Sequence, residues 1–448
     1  MSKIIKHQKT KFGNLIASLK QSVFLTNVLI VMSGTALAQI IGYAMSPIIS
    51  RLFSPSDFGV FGSFTAILGI ITAGVTLEYS QAIMLPKEES IALDLLIISI
   101  FSTVLITVLC ILTCLTLPGP VMSLMKAPGS WLLFVLIISI LIAGLNISLQ
   151  SWCVRVKAFK RTSASQVIRS ITSNSLQVVL GFLKVGSPGL IVSSTCADLF
   201  ASFNLASIVI RDVRRLSPKI SWNRLKKIAF DFRDFPIYSA TANVINAVST
   251  GLPVLLLTKY FGLSAAGYYA FGVKLISAPM SLILRALRQV LFQKACETEH
   301  KGESLMTLFT KVTLGLFIIS LIPSLILIIW APQIFSFIFG AQWVTAGKFS
   351  RYLVIWQAVM FCNLPSVLFA RILRLQNRLF FFDVSLLATR TIALILGGIY
   401  MTAETTILIF SIIGAMFNII FILLIGIALA RREGTTTLNE VITYLKRG

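Results

Sequence analysis

The chain has 448 residues, of which 56% are hydrophobic and only 12% charged, and its mean hydropathy is +0.89. Ordinary soluble domains carry about 25% charged residues, so this composition excludes a dispersed globular protein and indicates a multi-pass membrane protein. The net charge of +23 would favour nucleic acid as the partner of a soluble protein, and only the placement of the basic residues excludes that reading.

Apolar runs of about 20 residues, separated by charges or by Pro and Gly clusters, predict about 12 transmembrane helices in an all-α polytopic membrane protein. The predicted spans are 28–49, 59–77, 93–117, 131–151, 168–186, 189–210, 236–258, 267–288, 308–330, 350–371, 379–400 and 405–429.

The basic residues predict the orientation, because positively charged loops stay in the cytoplasm. With the N-terminus inside, 31 of the 39 Lys and Arg residues lie in cytoplasmic segments or at the cytoplasmic ends of spans, six lie in outside loops or at the outer ends of spans, and two, Lys274 and Arg390, lie deeper within spans. Both termini are therefore predicted to be cytoplasmic, and the basic excess reflects topology and attraction to anionic lipid. No nucleic-acid partner is expected.

A short internal repeat divides the chain into two halves. Arg51-Leu52-Phe53, followed by Gly59, recurs as Lys259-Tyr260-Phe261, followed by Gly267, at an offset of 208 residues. Each copy follows the first helix of a set of six, which predicts two parallel six-helix pseudo-repeats. The predicted segments are a basic N-terminal segment 1–27, an N-terminal lobe 28–210, a basic linker 211–235 that acts as a hinge, a C-terminal lobe 236–429 and a tail 430–448.

Charged and polar side chains inside predicted spans are candidates for a site, because an ionised group in mid-membrane usually faces a cavity or a partner. Together they predict a water-filled cationic cavity between the halves, suited to an anionic substrate that also carries hydroxyls. The candidate substrate-binding residues are Lys274, Arg390, Arg285, Asn174, Gln177, Asn243 and Asn246. For Arg285 and Arg169, which lie near the inner surface, snorkelling to the interface is the alternative.

Asp198 is the one carboxylate near the centre of a predicted span, and two roles are open for it. A buried carboxyl that gains and loses a proton could couple transport to an ion gradient, with H⁺ or Na⁺ as the coupling ion. Alternatively, Asp198 pairs with Lys274 or Arg390 in a buried salt bridge and nothing binds there.

Six segments carry a resemblance to a known family: Ser50 to Gly59, Glu78-Tyr79, Phe235-Pro236-Ile237-Tyr238, Gly251 to Leu257, Ala266-Gly267-Tyr268-Tyr269 and Phe339-Gly340. These segments resemble the bacterial polysaccharide flippases of the Wzx type, in the multidrug/oligosaccharidyl-lipid/polysaccharide exporter superfamily. They are spread over most of the chain, so the resemblance covers the whole architecture.

The resemblance implies a MATE-like flippase fold in the bacterial inner membrane. It further implies alternating-access transport of an undecaprenyl-diphosphate-linked oligosaccharide from the cytoplasmic to the outer leaflet, for O-antigen or capsular polysaccharide assembly. The implied partners are this lipid-linked sugar and the bilayer, with a polysaccharide polymerase and its chain-length machinery as further candidates. The roles of Lys274 and Arg390 are inferred from their own chemistry and are not carried over from the family.

Two other classes are weighed against this reading. An ion-coupled drug or cation antiporter of the same superfamily would present acidic groups to its substrate, whereas the excess within these spans is basic. A membrane polysaccharide polymerase or glycosyltransferase would need catalytic groups, yet the sequence contains no Asp-x-Asp pair, no long outside loop and only two histidines. The expected protein is a transporter without catalytic residues, cofactor or metal site.

Overall fold

A computed structural model describes residues 23–126, 129–216, 221–373 and 375–445, apart from the side chains of 23–32, 286, 289, 296, 300, 376 and 435–445. The predicted N-terminal segment 1–27 therefore lies almost wholly outside the described residues. The described part is almost entirely helical and contains no strand, which confirms the all-α class.

The helices up to the linker are numbered in chain order. They are α1 (Val23–Leu52), α2 (Pro55–Thr72), α3 (Tyr79–Ala82), α4 (Glu89–Thr116), α5 (Pro118–Met125), α6 (Trp131–Arg155), α7 (Phe159–Phe182), α8 (Ser187–Leu216) and α9 (Trp222–Asp231).

A π-helix (Phe235–Ala240) opens the second half of the chain. It leads into α10 (Thr241–Phe261), α11 (Leu263–His300), α12 (Leu305–Phe339), a 3₁₀ turn (Ala341–Trp343), α13 (Val344–Cys362), α14 (Leu364–Ile372), α15 (Gln376–Tyr400) and α16 (Ala403–Leu445).

Every predicted span coincides with a long helix or with two helices in series. Within the described residues, ten helical segments are long and apolar enough to cross a membrane. Helices α1 and α7 occupy the two remaining predicted spans. In α7 the Ser, Thr, Arg, Asn and Gln side chains lower the mean hydropathy, which is typical of a helix that presents polar groups to protein or water.

One predicted span ends too late. The span 59–77 is helical only to Thr72, and residues 73–78 form a succession of turns before α3. Val75 and Thr76 are buried in these turns. Because buried turns are as apolar as a membrane-spanning helix, composition alone did not mark the end of α2.

The chain forms two compact units, each of which is described by itself. Unit 1 comprises the described residues up to Phe53 and Phe64–Gly251, and unit 2 comprises Ser54–Ser63 and the described residues from Leu252 onwards. The predicted boundaries of the N-terminal lobe, the linker and the C-terminal lobe remain predictions.

Packing within the two units follows one pattern. In unit 1, α6 packs on α4 and α8, and α8 packs on α7. In unit 2, α13 packs on α12 and α16, and α16 packs on α15. The third, fourth, fifth and sixth long helices of each half therefore make the same neighbours, as expected of the two predicted pseudo-repeats.

The two repeated glycines make a reciprocal close contact within unit 2. A Cβ atom on Gly59 would overlap the carbonyl of Leu263, and one on Gly267 would overlap the carbonyl of Pro55. The first turns of α2 and α11 thus approach backbone to backbone, which only residues without a side chain allow.

The basic linker contains an ordered helix. Leu225 and Ile228 of α9 are buried in the core of unit 1, and Arg224 forms an ion pair of 2.7 Å with Asp94 of α4. The amphipathic sequence of α9 explains this packing, since its apolar face is buried while Lys226 and Lys227 stay exposed.

Candidate functional site

Arg390 of α15 lies in an aromatic enclosure within unit 2. Its Cζ atom is 3.7 Å from the centre of the Trp356 ring and 4.0 Å from that of Phe410, and the side chain is only 9% exposed. Tyr269 of α11 is buried against the Phe410 ring, at 6.2 Å between ring centres. The cation–π contacts fix the plane of the guanidinium. We call Tyr269, Trp356, Arg390 and Phe410 the arginine cluster.

The hydrogen-bonding edge of Arg390 is unsatisfied. Among the described residues, neither Nε nor Nη2 of Arg390 has a hydrogen-bond partner, although both nitrogens are buried. These adjacent nitrogens form the fork that grips a carboxylate or a phosphate with two parallel bonds. An unpaired buried charge costs several kcal/mol, so Arg390 is the strongest candidate among the predicted cations for a site that binds an anion.

The two helices that carry Trp356 and Phe410 hold further donors without a partner. The buried Trp356 Nε1, Gln357 Nε2 and Ser411 Oγ atoms lack a hydrogen-bond partner within the described structure. Gln357 is held by its other amide atom, because Ser277 of α11 donates to Gln357 Oε1 at 3.1 Å. Of these three residues, only Trp356 belongs to the arginine cluster.

Gly414 of α16 makes room for the guanidinium. A Cβ atom at this position would overlap Nη2 of Arg390 and would lie 2.7 Å from Cδ1 of Trp356. A glycine one turn after Phe410 is therefore part of the arginine cluster, because any side chain there would displace the fork.

The other two cationic candidates are more accessible. Lys274 and Arg285 lie on α11, and both side chains are exposed. Ser277, one turn after Lys274, bonds to the carbonyl of Val273 and to Gln357, so this part of α11 is packed on α13.

Asp198 is ion-paired within unit 1. Its two carboxylate oxygens lie 2.5 Å from Nε and 3.3 Å from Nη2 of Arg169 on α7. Lys274 or Arg390 was the predicted partner in a salt bridge, and in the structure Arg169 is the partner instead. It also corrects the snorkelling alternative for Arg169, because α7 and α8 are neighbours and a cation on one meets the carboxylate on the other.

The amides of α7 bond within their own helix. Asn174 donates to the Ser170 carbonyl at 2.6 Å, and Gln177 donates to the Ser173 hydroxyl at 3.1 Å. Gln177 is buried and Asn174 is half-buried. Asn174 Nδ2 also lies 3.3 Å from the Ser170 hydroxyl, whereas Gln177 Nε2 has this one bond for its two N–H groups, and both amide oxygens are groups that could accept from a ligand.

The two candidate amides of α10 differ from one another. Asn243 is half-buried and its side chain hydrogen-bonds to Glu78 of the 73–78 turn. Asn246 is exposed. Of the amide candidates in unit 1, Asn246 is therefore the most accessible to a solute.

A separate cavity of about 440 Å³ lies within unit 2 and has a different character. Its lining comes from α12, α13 and α16 and is almost wholly apolar, and no candidate site residue lines it. Such a cavity suits hydrocarbon and cannot serve as the site for an anion.

Sequence reasoning missed the groups that define the arginine cluster. Trp356, Phe410 and Gly414 are apolar or small residues within predicted spans, so a search for intramembrane charge passed over them. Helical spacing alone placed Phe410 and Gly414 on one face, but nothing local related them to Arg390.

Three comparisons with known proteins bear on this chain. The model of a family described as polysaccharide biosynthesis protein matches residues 48–348. The succinoglycan biosynthesis transport protein ExoT of Rhizobium meliloti (strain 1021) is 25% identical over 315 residues, which cover 67% of this chain and 59% of that protein. The chain thus spans less than two thirds of this curated relative.

Solved structures share the fold. The lipid II flippase MurJ matches 92% of this chain and 93% of its own at a TM-score of 0.68 and 15% identity. A second structure, of a multidrug resistance MATE family transporter of the MOP superfamily, matches over 90% of this chain and 99% of its own length. Its TM-score is 0.66 and its sequence identity is 16%. The predicted MATE-like flippase fold is thereby confirmed, and these relatives are transport proteins.

Proposed function

Because the chain belongs to the polysaccharide biosynthesis protein family, we propose that it translocates an undecaprenyl-diphosphate-linked oligosaccharide across the bacterial inner membrane by alternating access. The polysaccharide assembled from the transported unit is O-antigen, a capsular polysaccharide or an exopolysaccharide. The observation that carries the proposal is the buried, unpaired fork of Arg390.

A diphosphate is the group that fits this fork. Each phosphate offers oxygens at the spacing that Nε and Nη2 of arginine grip, and the cation–π contacts hold the guanidinium in place before the ligand arrives. The exposed cations Lys274 and Arg285 attract and retain the same double charge without fixing its geometry.

The sugar is assigned to the amides of unit 1. Asn246 and Asn243 offer donors and acceptors on α10, whereas Asn174 and Gln177 offer acceptors to sugar hydroxyls. For Asp198 the proposed coupling role remains a prediction, weakened by its pairing with Arg169.

The relatives support a substrate of this kind. ExoT is named as a succinoglycan biosynthesis transport protein, and MurJ is named as a lipid II flippase. The arginine cluster also argues against a drug or cation antiporter, because an unpaired arginine repels a cationic solute.

Deletion of the gene tests the function. We expect loss of surface polysaccharide and accumulation of lipid-linked repeat units in the inner leaflet, restored by the wild-type chain and not by Arg390→Ala at equal membrane abundance. Unchanged polysaccharide together with altered sensitivity to cationic drugs would instead favour the antiporter.

A further inference from the structure

The turn between α2 and α3 is strained and buried. Leu77 and Glu78 have positive φ angles of 48° and 59°, a left-handed conformation that non-glycine residues rarely adopt. Such strain persists only where surrounding structure imposes it, and it is concentrated at functional sites. Tyr79 helps to impose it here, since its hydroxyl donates to the Ala229 carbonyl of α9 at 3.0 Å.

The strained turn buries a carboxyl group. Glu78 is 8% exposed, its side chain hydrogen-bonds to Asn243 of α10, and its Oε2 atom is buried without a hydrogen-bond partner in the described structure. Glu78 lies outside the membrane-spanning helices. Burial raises the pKa of its carboxyl, and the Asn243 amide opposes this rise only in part.

The charged groups on the elements around the turn are directed elsewhere. Arg155 of α6 donates to the carbonyls of Ile83 and Pro86, and Arg233, after α9, stacks on Phe230. Two ion pairs, Arg224–Asp94 and Arg215–Glu89, join the linker region to α4. The other charged residues of α9 are exposed at its surface, namely Lys226, Lys227 and Asp231. None of these described cations pairs with the Glu78 carboxyl.

The turn is packed against the irregular start of α10. A Cβ atom on Gly74 would lie 3.0 Å from Cγ2 of Val244, next to the Asn243 that bonds Glu78. This helix begins with the π-helical turn Phe235–Ala240, and π-helical turns are frequent at functional sites. The Glu78 carboxyl therefore lies in one irregular backbone segment and close to the helix that follows a second one.

We propose that Glu78 is a proton-binding site whose carboxyl holds a proton while the 73–78 turn is packed and releases it when the turn opens to water. This makes Glu78, rather than Asp198, the carboxyl that couples translocation to a proton gradient. The coupling part rests on the function proposed above, whereas the proton-binding part does not.

The contrast with Asp198 explains the choice. Asp198 faces the cation Arg169 at 2.5 Å, and this opposite charge opposes the uptake of a proton. The Glu78 carboxyl has one neutral amide as partner, so the protonated form is the one that burial favours.

Thermal unfolding of the purified full chain in detergent tests proton binding without any substrate. Because the pKa is raised in the folded state, unfolding releases a proton, and stability falls as pH rises from the ordinary value of 4.5 through the raised value. Relative to Glu78→Gln, the wild-type Tm should fall across this interval by about 1 to 2 °C per unit of raised pKa.

Two further variants sharpen the thermal test. Glu89→Gln removes an exposed carboxylate of the same region, which pairs with Arg215, and should leave the pH profile as in the wild type. Asn243→Ala removes the amide that favours the charged form and should move the fall to higher pH. A Tm difference between the wild type and Glu78→Gln that is constant at every pH overturns the proposal.

Transport of a fluorescent polyprenyl-diphosphate disaccharide in proteoliposomes tests the coupling. An imposed pH gradient should alter the wild-type and Glu89→Gln rates and leave the Glu78→Gln rate unchanged. A Glu78→Gln variant that keeps the wild-type response contradicts coupling through this residue. A wild type that moves no such lipid contradicts the proposed function, and the thermal profile then still decides whether Glu78 binds the proton.

Discussion

The two compact units differ in whether the charged side chains inside their helices are paired. In unit 1, Asp198 and Arg169 neutralise one another across α7 and α8, and Asn146 of α6 donates to the Ser202 hydroxyl of α8 at 2.8 Å. In unit 2, Arg390 is more deeply buried, yet its fork has no partner in the described structure.

This difference separates packing from binding. A paired charge has already recovered part of its desolvation energy, so its pairing is sufficient reason for its presence. An arginine stacked on two aromatic rings with two nitrogens unbonded has recovered only the cation–π part, and in the proposed function the anionic substrate supplies the rest. The order of the expected mutational effects follows from this contrast.

Arg390 substitution should have the largest effect on transport. Bonds to a charged partner contribute about 1.5–3 kcal/mol, so Arg390→Ala should lower the translocation rate about 10- to 150-fold. Arg390→Lys keeps the charge and loses the fork, so most of this decrease should remain. The rate is measured in proteoliposomes at matched protein content, with the exposed Arg378 of the same helix replaced by Ala as the control. Normal rates in both Arg390 variants would remove the residue from the site.

Gly414→Ala breaks the same cluster without removing a charge. Its Cβ atom overlaps Nη2 of Arg390, so the fork must move, and we expect roughly a ten-fold decrease in rate, equivalent to about 1.4 kcal/mol. Gly426→Ala on the same helix is the matched control, because its nearest neighbour, Phe309, would be 3.6 Å away. Equal rates for the two variants would show that the position of the fork does not matter.

Lys274→Ala should have a smaller effect than either change in the cluster. The side chain is exposed, and exposed charge pairs contribute about 0.2–1 kcal/mol, so the rate should fall at most about five-fold. The decrease should shrink at high salt, because screening weakens an exposed cation first. Lys301→Ala, at the far end of α11, provides the comparison, and identical salt responses of the two variants would contradict a role for Lys274.

The Asp198–Arg169 pair should affect stability more than transport, and asymmetrically. Arg169→Ala leaves a carboxylate that is only 15% exposed without its partner, which should destabilise the protein by about 1–3 kcal/mol. Asp198→Asn leaves an arginine that is 55% exposed and should cost less than about 1 kcal/mol. Denaturation of each variant in detergent measures both values. An altered pH profile of transport in Asp198→Asn would show that Asp198 titrates, contrary to the assignment of that role to Glu78.

Sequence reasoning anticipated the architecture better than the site. The long helices lie where the apolar runs predicted them, and Gly59 and Gly267, found as a repeated motif, prove to be a close helix contact. The 73–78 turn was read as helix, because buried turns and buried helices have the same apolar composition. Glu78 was noticed only for its resemblance to a family segment, since a single carboxylate after a span carries no signal of its burial.

What the sequence alone determined is the membrane class, the helical spans and the twofold repeat, because hydropathy and spacing act over one helix at a time. Which charges are neutralised was decided only by tertiary structure. Arg169 meets Asp198 because α7 packs on α8, whereas Arg390 meets Trp356 and Phe410 because α13 and α16 enclose it. These are contacts between segments distant in the chain, and no local pattern encodes them.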